Sequence, residues 1–194
     1  MLFCVLILLD MVTGINKVLK EIEDKSHEIS LPILGRRKGK FLASLVKKYK
    51  PKNILEVGSL VGYSSIIMSR YLPTKGRITT IEINPKAALL AKENFLKADK
   101  KNINLILGDA MKAIPNIEGP FDLVFLDAQK DEYYNYLLLA ENKLSPNAII
   151  VADNAKIFAD EMRDYLEYVR DRKKYRSETY EFGDDAMEVS FRFG

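Results

Sequence analysis

The strongest constraint on the fold of this chain is a regular alternation of strand and helix patterns after residue 51. Short apolar runs, each followed by a helical pattern, predict five β-strands at 53–58, 77–83, 103–107, 121–126 and 147–152. Repeated strand–helix–strand units indicate a parallel sheet with helices on both faces. Two alternating runs at 178–182 and 186–193 flank Gly183-Asp184-Asp185 and predict an antiparallel hairpin. The expected fold class is therefore α/β: a doubly wound, mostly parallel, seven-stranded sheet with a C-terminal antiparallel hairpin.

Helical spacing accounts for most of the remaining sequence. Apolar residues at i, i+3, i+4 and i+7 predict a first helix through Ile15, Val18, Leu19 and Ile22. Other helices are expected at 41–49, 62–71, 85–98, 110–115 and 131–143, and then a long helix with Phe158, Met162, Tyr165, Leu166 and Val169 on one side. No linker or repeat divides the sequence, so we expect one domain over 1–194, with an N-terminal helical segment at 1–50 and a core at 51–194.

Positive charge is concentrated in one stretch, although the net charge of the chain is only +3. Residues 36–52 contain no acid and eight basic residues, which are Arg36, Arg37, Lys38, Lys40, Lys47, Lys48, Lys50 and Lys52. Such a run is usually a solvated helix face. It could also attract phosphate groups. We call residues 36–52 the basic stripe.

Residue counts limit the location of the protein and the kind of metal site. One cysteine, Cys4, excludes an internal disulfide and fits a reducing compartment such as the cytoplasm. His27 is the single histidine, so a Cys/His zinc site is excluded. The apolar residues 1–9 are too few to span a bilayer, which takes roughly 20. We expect residues 1–10 to be either a stretch preceding the true start at Met11 or a short packed extension, with an interfacial anchor as the third reading.

Two apolar runs end at acidic residues, and this points to function. Residues 121–126 stop at Asp127, and residues 148–152 stop at Asp153-Asn154. The carboxyl ends of parallel strands lie at one edge of a sheet, where ligands bind. Carboxylate and amide oxygens suit a hard cation. Lys130, one turn after Asp127, would then be a proton acceptor beside a metal site.

The turn after the first strand and the acid after the second suggest a nucleoside ligand. Gly58 and Gly62 have the spacing Gly-x-x-x-Gly, which lacks the third glycine of a dinucleotide site and favours a single carboxylate. Ser64 could add a hydroxyl donor. Glu82 occupies the position of a ribose-binding acid. The triplet Gly108-Asp109-Ala110 could lie against an adenine, although Asp109 could also be a helix cap. Adenosine with an amino-acid tail describes S-adenosylmethionine.

Five motifs together resemble those of the cation-dependent O-methyltransferases, which include catechol and caffeoyl-CoA O-methyltransferases and small microbial relatives. The motifs are Leu-Glu-Val-Gly-Ser-Leu-Val-Gly-Tyr-Ser-Ser (55–65), Thr-Ile-Glu-Ile (80–83), Gly-Asp-Ala (108–110), Asp-Ala-Gln-Lys (127–130) and Val-Ala-Asp-Asn (151–154). This resemblance implies a Rossmann-like methyltransferase fold, S-adenosylmethionine as cofactor, Mg²⁺ (or Mn²⁺ or Ca²⁺), and a homodimer.

The resemblance also implies a role for each matching residue. The methionine end of the cofactor would be held by Glu56, Gly58, Ser59, Gly62 and Ser64. The nucleoside would contact Glu82, Asp109 and Ala110, with Asp127 and Gln129 nearby. Gln129 stands where many relatives have an acid. The metal ligands would be Asp127, Asp153 and Asn154, and the general base would be Lys130.

The methyl acceptor is expected to be a hydroxylated small molecule. The segment after Asp153-Asn154 is shorter than in most relatives, which favours an open site. The chain has no Trp, so a catechol-sized aromatic pocket is not expected. An open site also suits tRNA, so methylation of a hydroxylated wobble uridine, with the basic stripe holding phosphates, is an alternative. Two other classes stay open: a nicotinamide-dependent oxidoreductase, and a non-catalytic interaction protein.

Overall fold

The computed structural model describes the fold of residues 2–193 and the side chains of residues 14–193. Seven α-helices and seven β-strands are found in this part of the chain. In chain order they are α1 (Leu2–Glu28), α2 (Gly35–Tyr49), β1 (Asn53–Val57), α3 (Tyr63–Ser69), β2 (Arg77–Glu82), α4 (Pro85–Lys97), β3 (Ile103–Leu107), α5 (Ala110–Ala113), β4 (Phe121–Leu126), α6 (Tyr133–Glu141), β5 (Leu144–Ala152), α7 (Arg163–Arg170), β6 (Tyr175–Phe182) and β7 (Asp185–Arg192).

The strands form one seven-stranded sheet in the order β3-β2-β1-β4-β5-β7-β6. Strands β1 to β5 are parallel, and β7 joins β5 antiparallel with β6 outside it. The predicted α/β class, with a mostly parallel sheet and a C-terminal hairpin, is confirmed. Strand order reverses between β1 and β4, and a crevice at such a switch point is where open α/β sheets bind ligands.

Helices cover both faces of the sheet, which explains the apolar strand runs. One buried cluster lies between the sheet and α1 to α4, with Leu42, Val46 and Ile66 among its members. A second lies between the sheet and α5 to α7, with Leu137 and Val169 in it. Strands buried on both faces cannot alternate apolar and polar residues. β4 and the second half of β5 are therefore largely apolar runs.

The long helix expected after β5 is wrong. Residues 155–162 form turns, and the helix itself is only Arg163–Arg170. The backbone N–H of Ala155 donates to Ala186 O at 2.8 Å, and the N–H of Ile157 reaches Asp185 Oδ1 at 3.4 Å. Backbone N–H groups that donate to the hairpin cannot also make the hydrogen bonds of a regular α-helix. The expected helix at 131–143 also differs: it begins with a 3₁₀ turn at Lys130–Glu132 and ends at Glu141.

The N-terminal helices precede β1, as the sequence pattern indicates. Within the described residues, no helix is both long enough and apolar enough to cross a membrane. The prediction that residues 1–10 precede the true start or form a packed extension concerns side chains that lie outside the described residues. The division into an N-terminal segment and a core within one domain stays a prediction.

Candidate active site

The loop after β1 is held against the loop after β4 by close backbone contact. Gly58 has φ +94°, and a Cβ built there would lie 2.1 Å from the carbonyl oxygen of Asp127. Only glycine fits this conformation and this separation. Gly62, at φ +83°, faces the ring of Phe95, which a Cβ would approach to 2.3 Å. Gly58 therefore brings two site loops together, whereas Gly62 serves packing against α4.

Glu56 is a fully buried carboxyl group beneath this loop. The hydroxyls of Ser64 and Ser65, at the start of α3, both donate to it. Burial raises the pKa of Glu56 to about 7, against the opposing effect of these hydrogen bonds. The hydroxyl of Ser59 is buried and has no hydrogen-bond partner among the described residues. A polar ligand at the loop would satisfy it.

The acids after β2 and β3 are tied to the backbone around the crevice. Glu82 accepts from the N–H of Leu60 at 2.7 Å and of Asn84 at 2.8 Å, so its carboxylate is fixed on both sides. Asp109 accepts from Met111 N at 2.9 Å and is the N-cap of α5. The capping alternative for Asp109 is thus observed, and its side chain also lines the cleft described below.

Asp127 and Asp153 lie side by side, because Leu126 of β4 is paired with Ala152 of β5. The N–H of Asp153 donates to Leu126 O at 3.0 Å, which extends this pairing to the strand ends. Asp153 is 3% exposed. Burial, and then the charge of Asp127, raise the pKa of Asp153. The predicted convergence of the two carboxylates at one rim of the sheet is found.

Lys130 reaches back from the 3₁₀ turn after β4 to the same rim. Its ammonium donates to Asp127 Oδ1 at 3.0 Å and to the hydroxyl of Tyr133 at 2.7 Å. The Tyr133 side chain is fully buried and packs edge-on against Tyr165. Burial, with the charges of Asp127 and Asp153, raises the pKa of Tyr133 well above its ordinary value. Tyr133 is therefore a neutral, fixed partner for Lys130.

Lys38 also reaches the rim, from α2. Its ammonium lies 2.7 Å from Asp153 Oδ1 and donates to Asp185, the first residue of β7. Burial lowers the pKa of Lys38, but the charges of Asp153 and Asp185 outweigh burial and raise it. Asp185 also accepts from Asn154 Nδ2 at 2.7 Å. The basic stripe is thus not uniformly solvated, which corrects the simplest reading of that run.

The comparisons with known proteins agree with this geometry. Residues 12–169 match the sequence model of a family described as O-methyltransferase. The chain belongs to the O-methyltransferase family. It is 41% identical over 121 residues to a catechol O-methyltransferase of Niastella koreensis, a match covering 60% of this chain and 55% of that protein. It is 34% identical over 173 residues to a caffeoyl-CoA O-methyltransferase-like protein of Arabidopsis thaliana, covering 84% and 73%. The alignments span about half the length of the catechol O-methyltransferases it matches.

Solved structures show the same fold. The O-methyltransferase TomG of Streptomyces achromogenes, solved in complex with S-adenosylmethionine, has a TM-score of 0.84 and 26% identity, covering 91% of this chain and 90% of TomG. An O-methyltransferase of Bacillus cereus, solved with S-adenosylhomocysteine, has a TM-score of 0.83 and 25% identity over the same shares. The Rossmann-like methyltransferase fold that the resemblance implied is confirmed.

An open cleft of about 720 Å³ runs along the carboxyl ends of the strands of this O-methyltransferase family member. It is lined by all the site residues expected from sequence except Glu56 and Gly62, namely Gly58, Ser59, Ser64, Glu82, Asp109, Ala110, Asp127, Gln129, Lys130, Asp153 and Asn154. Glu56 lies beneath the loop. The sequence motifs therefore converge on one cleft.

Several cleft residues were missed from sequence. Lys38 lies four residues before Leu42 and seven before Leu45, so helical spacing places it on the inner face of α2. This spacing was overlooked because the whole run is positively charged. One wall is formed by Ile33 and Leu34 before α2 and by Ile157 and Phe158 after β5. These apolar residues belong to irregular segments, for which a periodic pattern gives no signal.

The rim has the chemistry of a hard-cation site. In the described part of the chain, no group of three or more His, Cys, Asp or Glu side chains is placed to hold a metal, and the rim offers two carboxylates and one amide instead. The Asp153 carboxylate is buried, and the Lys38 ammonium lies 2.7 Å from its Oδ1. Carboxylate and amide oxygens gathered at one rim are the ligand types that a hard cation prefers.

Proposed function

We propose that this protein is an S-adenosylmethionine-dependent, divalent-cation-dependent O-methyltransferase acting on a hydroxylated small molecule. The observation that carries the proposal is the rim itself: Asp127, Asp153 and Asn154 line the same cleft as Lys130 and the loop after β1. Family membership and neighbours solved with S-adenosylmethionine or S-adenosylhomocysteine support the cofactor. Relatives named catechol O-methyltransferase support a hydroxylated acceptor.

The cofactor would lie along the loop after β1, with its methionine end above Glu56. Ser59 has a buried hydroxyl there without a hydrogen-bond partner among the described residues, and Gly58 allows the loop to pack directly against Asp127. Glu82 would receive the ribose hydroxyls through the lone pairs that its two backbone N–H donors leave free. Asp109 and Ala110 would flank the adenine, with Gln129 at the cleft edge.

At the rim, Asp127, Asp153 and Asn154 would hold Mg²⁺ or a similar divalent ion, since their oxygens are hard ligands. A bound divalent cation supplies positive charge that favours the ionised form of a nearby hydroxyl. Lys130 is fixed beside the rim by Asp127 and Tyr133, and would take the acceptor's proton as a neutral amine, after its ammonium has released a proton to solvent. Ile33, Leu34, Ile157 and Phe158 would exclude water from the acceptor's apolar body.

The role of Lys130 is tested with Lys130→Ala. Loss of a general base lowers turnover by roughly 10²- to 10⁴-fold, while the affinity for S-adenosylhomocysteine should change less than about threefold. Turnover is measured by mass spectrometry on a panel of hydroxylated small molecules, catechol among them, with S-adenosylmethionine and Mg²⁺, and affinity by calorimetry. Lys92→Ala, an exposed lysine on α4, is the matched control. Equal losses of turnover and affinity would contradict a base role, and transfer that persists unchanged in EDTA would contradict cation dependence.

The tRNA alternative is less well supported by the contacts of the basic stripe. Lys38 is paired with Asp153 and Asp185, and Arg36 is paired with Glu23. The other six basic residues of the stripe, Arg37, Lys40, Lys47, Lys48, Lys50 and Lys52, are exposed. Filter binding of bulk tRNA tests it, since phosphate contacts make binding salt-sensitive. Absence of binding at low ionic strength would remove it. A homodimer and a cytoplasmic location stay predictions.

A further inference from the structure

Lys38 occupies an unusual place for a lysine in a basic run. Its side chain is 13% exposed and extends from α2 to the ends of β5 and β7. It contacts two carboxylates at once, Asp153 and Asp185. One is an expected metal ligand and the other belongs to the closing hairpin. A solvated helix face would need neither contact.

Asp185 is fixed on both of its oxygens. Oδ1 accepts from the N–H of Ala186 at 2.8 Å and of Ile157 at 3.4 Å. Oδ2 accepts from Lys38 and from Asn154 Nδ2 at 2.7 Å. This carboxylate therefore joins α2, the start of β7 and the turn after β5 at one point.

The contact with Asp185 determines the orientation of the Asn154 amide. A carboxylate only accepts hydrogen bonds, so the atom of Asn154 that faces it must be the NH₂ nitrogen. The carbonyl oxygen is left as the group that Asn154 can offer to a cation. The backbone of Asn154 is in the left-handed region, at φ +65°, and the residue lines the cleft at the rim. Lys38 acts similarly on the neighbouring ligand, because it holds the Asp153 carboxylate from one side.

We propose that Lys38 and Asp185 form a positioning pair that sets the oxygens of Asp153 and Asn154 for a divalent cation. This inference rests on the proposed cation-dependent function of the same rim. Groups that orient metal ligands through the ligands' other atoms change metal affinity by 10- to 100-fold when removed. Lys38 and Asp185 have this relation to the rim: each contacts a ligand, and both are held by elements outside the cleft loops.

The competing explanation is that the pair only ties α2 to the hairpin. The two explanations differ in sign for Lys38→Met. Loss of a positive charge beside a cation site strengthens cation binding through Coulomb's law if nothing else changes. Loss of a positioning contact weakens it. Cation affinity therefore separates the two, whereas thermal stability alone does not.

The test is Mn²⁺ binding to the purified full chain without added cofactor, measured by electron paramagnetic resonance. We expect Lys38→Met to bind Mn²⁺ at least tenfold more weakly than the wild type, and Asp185→Ala to lose a similar factor. Lys40→Met and Asp184→Ala, exposed neighbours with the same charge changes, are the controls and should stay within twofold. S-adenosylhomocysteine affinity, measured in EDTA, should be unchanged in all four variants.

Equal or tighter Mn²⁺ binding by Lys38→Met would overturn the positioning role. If that variant does not fold, Lys38→Met/Asp185→Ala removes one charge of each sign, and the same tenfold loss is expected against Lys40→Met/Asp184→Ala. Wild-type protein that binds no Mn²⁺ would overturn the cation-dependent function, and the positioning role with it. Wild-type binding with an unaffected double variant would overturn the positioning role alone.

Discussion

At the scale of single residues, Glu56 shows how the site shifts the protonation of one group. The carboxyl is fully buried, and burial raises its pKa from 4.5 to about 7. Because the folded pKa lies above the unfolded one, the folded protein holds this proton more tightly between pH 4.5 and 7. The contribution of Glu56 to stability is thus fully present below about pH 4.5 and is lost as pH rises through about 7.

Glu56→Gln should remove this pH dependence. The shift corresponds to an upper estimate of about 3 kcal/mol, since one pKa unit is about 1.4 kcal/mol. The melting temperature of the variant minus that of the wild type should therefore be several degrees higher at pH 8 than at pH 5. Glu93→Gln, on the exposed face of α4, is the control. Parallel profiles for Glu56→Gln and the wild type would show that Glu56 ionises normally.

Gly58 gives a second prediction at this scale. A Cβ there would lie 2.1 Å from Asp127 O at φ +94°, so Gly58→Ala must displace backbone. We expect a loss of roughly 2–4 kcal/mol in unfolding free energy and loss of S-adenosylhomocysteine binding. Gly14→Ala, in α1 with open space around its Cβ, should instead stabilise by about 0.5–1 kcal/mol. Urea unfolding measures both, and a stable Gly58→Ala that binds cofactor would contradict the close contact.

At the scale of elements, three helices are joined by one buried acid. Glu23 of α1 accepts from the hydroxyl of Tyr63, the first residue of α3, and from Arg36 Nε of α2 at 2.6 Å. Ile15, Val18, Leu19 and Ile22, the inner face predicted for α1, pack in the same cluster. The N-terminal helices are therefore attached to the helix that follows the cofactor loop.

Tyr63→Phe should weaken this attachment. Removing a hydrogen bond to a charged group costs about 1.5–3 kcal/mol, and Arg36 retains part of the partnership with Glu23, so a loss of roughly 1–2 kcal/mol is expected. Urea unfolding measures it, with Tyr71→Phe, a more exposed tyrosine, as control. Indistinguishable unfolding of Tyr63→Phe and wild type would mean that Arg36 alone holds Glu23.

How far the sequence predicts these elements depends on what holds each one. β4 has the expected bounds, because a buried parallel strand must be an apolar run. β3 also has the expected bounds, although it is a partly exposed strand at the edge of the sheet. The prediction of a helix through Phe158 is wrong. Amphipathic spacing within residues 155–162 carries no information about the hydrogen bonds that this segment makes to the C-terminal hairpin. Lys38 was missed for a similar reason. Its charge suggested solvent, and only the tertiary structure supplies Asp153 and Asp185.

At the scale of the whole molecule, the sheet separates two apolar clusters and leaves the cleft along its carboxyl edge. The site residues expected from motifs could be placed there because parallel strand ends share an edge. The apolar wall of the cleft could not, because it comes from irregular segments. The roles of these residues stay predictions until ligands are bound.

Cofactor binding should stabilise the whole fold by mass action. At 100 times the dissociation constant, S-adenosylhomocysteine should add about 2.7 kcal/mol, which is roughly 5–10 °C in melting temperature for a chain of this size. NAD at the same concentration should have no effect, because the loop after β1 lacks the dinucleotide spacing. Calorimetry measures both, and a shift with NAD alone would favour an oxidoreductase.

The pair formed by Lys38 and Asp185 joins residues 147 positions apart. During synthesis on the ribosome, the first of them emerges long before the second. If the pair arranges the rim as inferred, a nascent chain that has already made its first five strands still lacks a finished rim. Methylation competence would then arise in one late step, when the hairpin emerges and adds to the sheet.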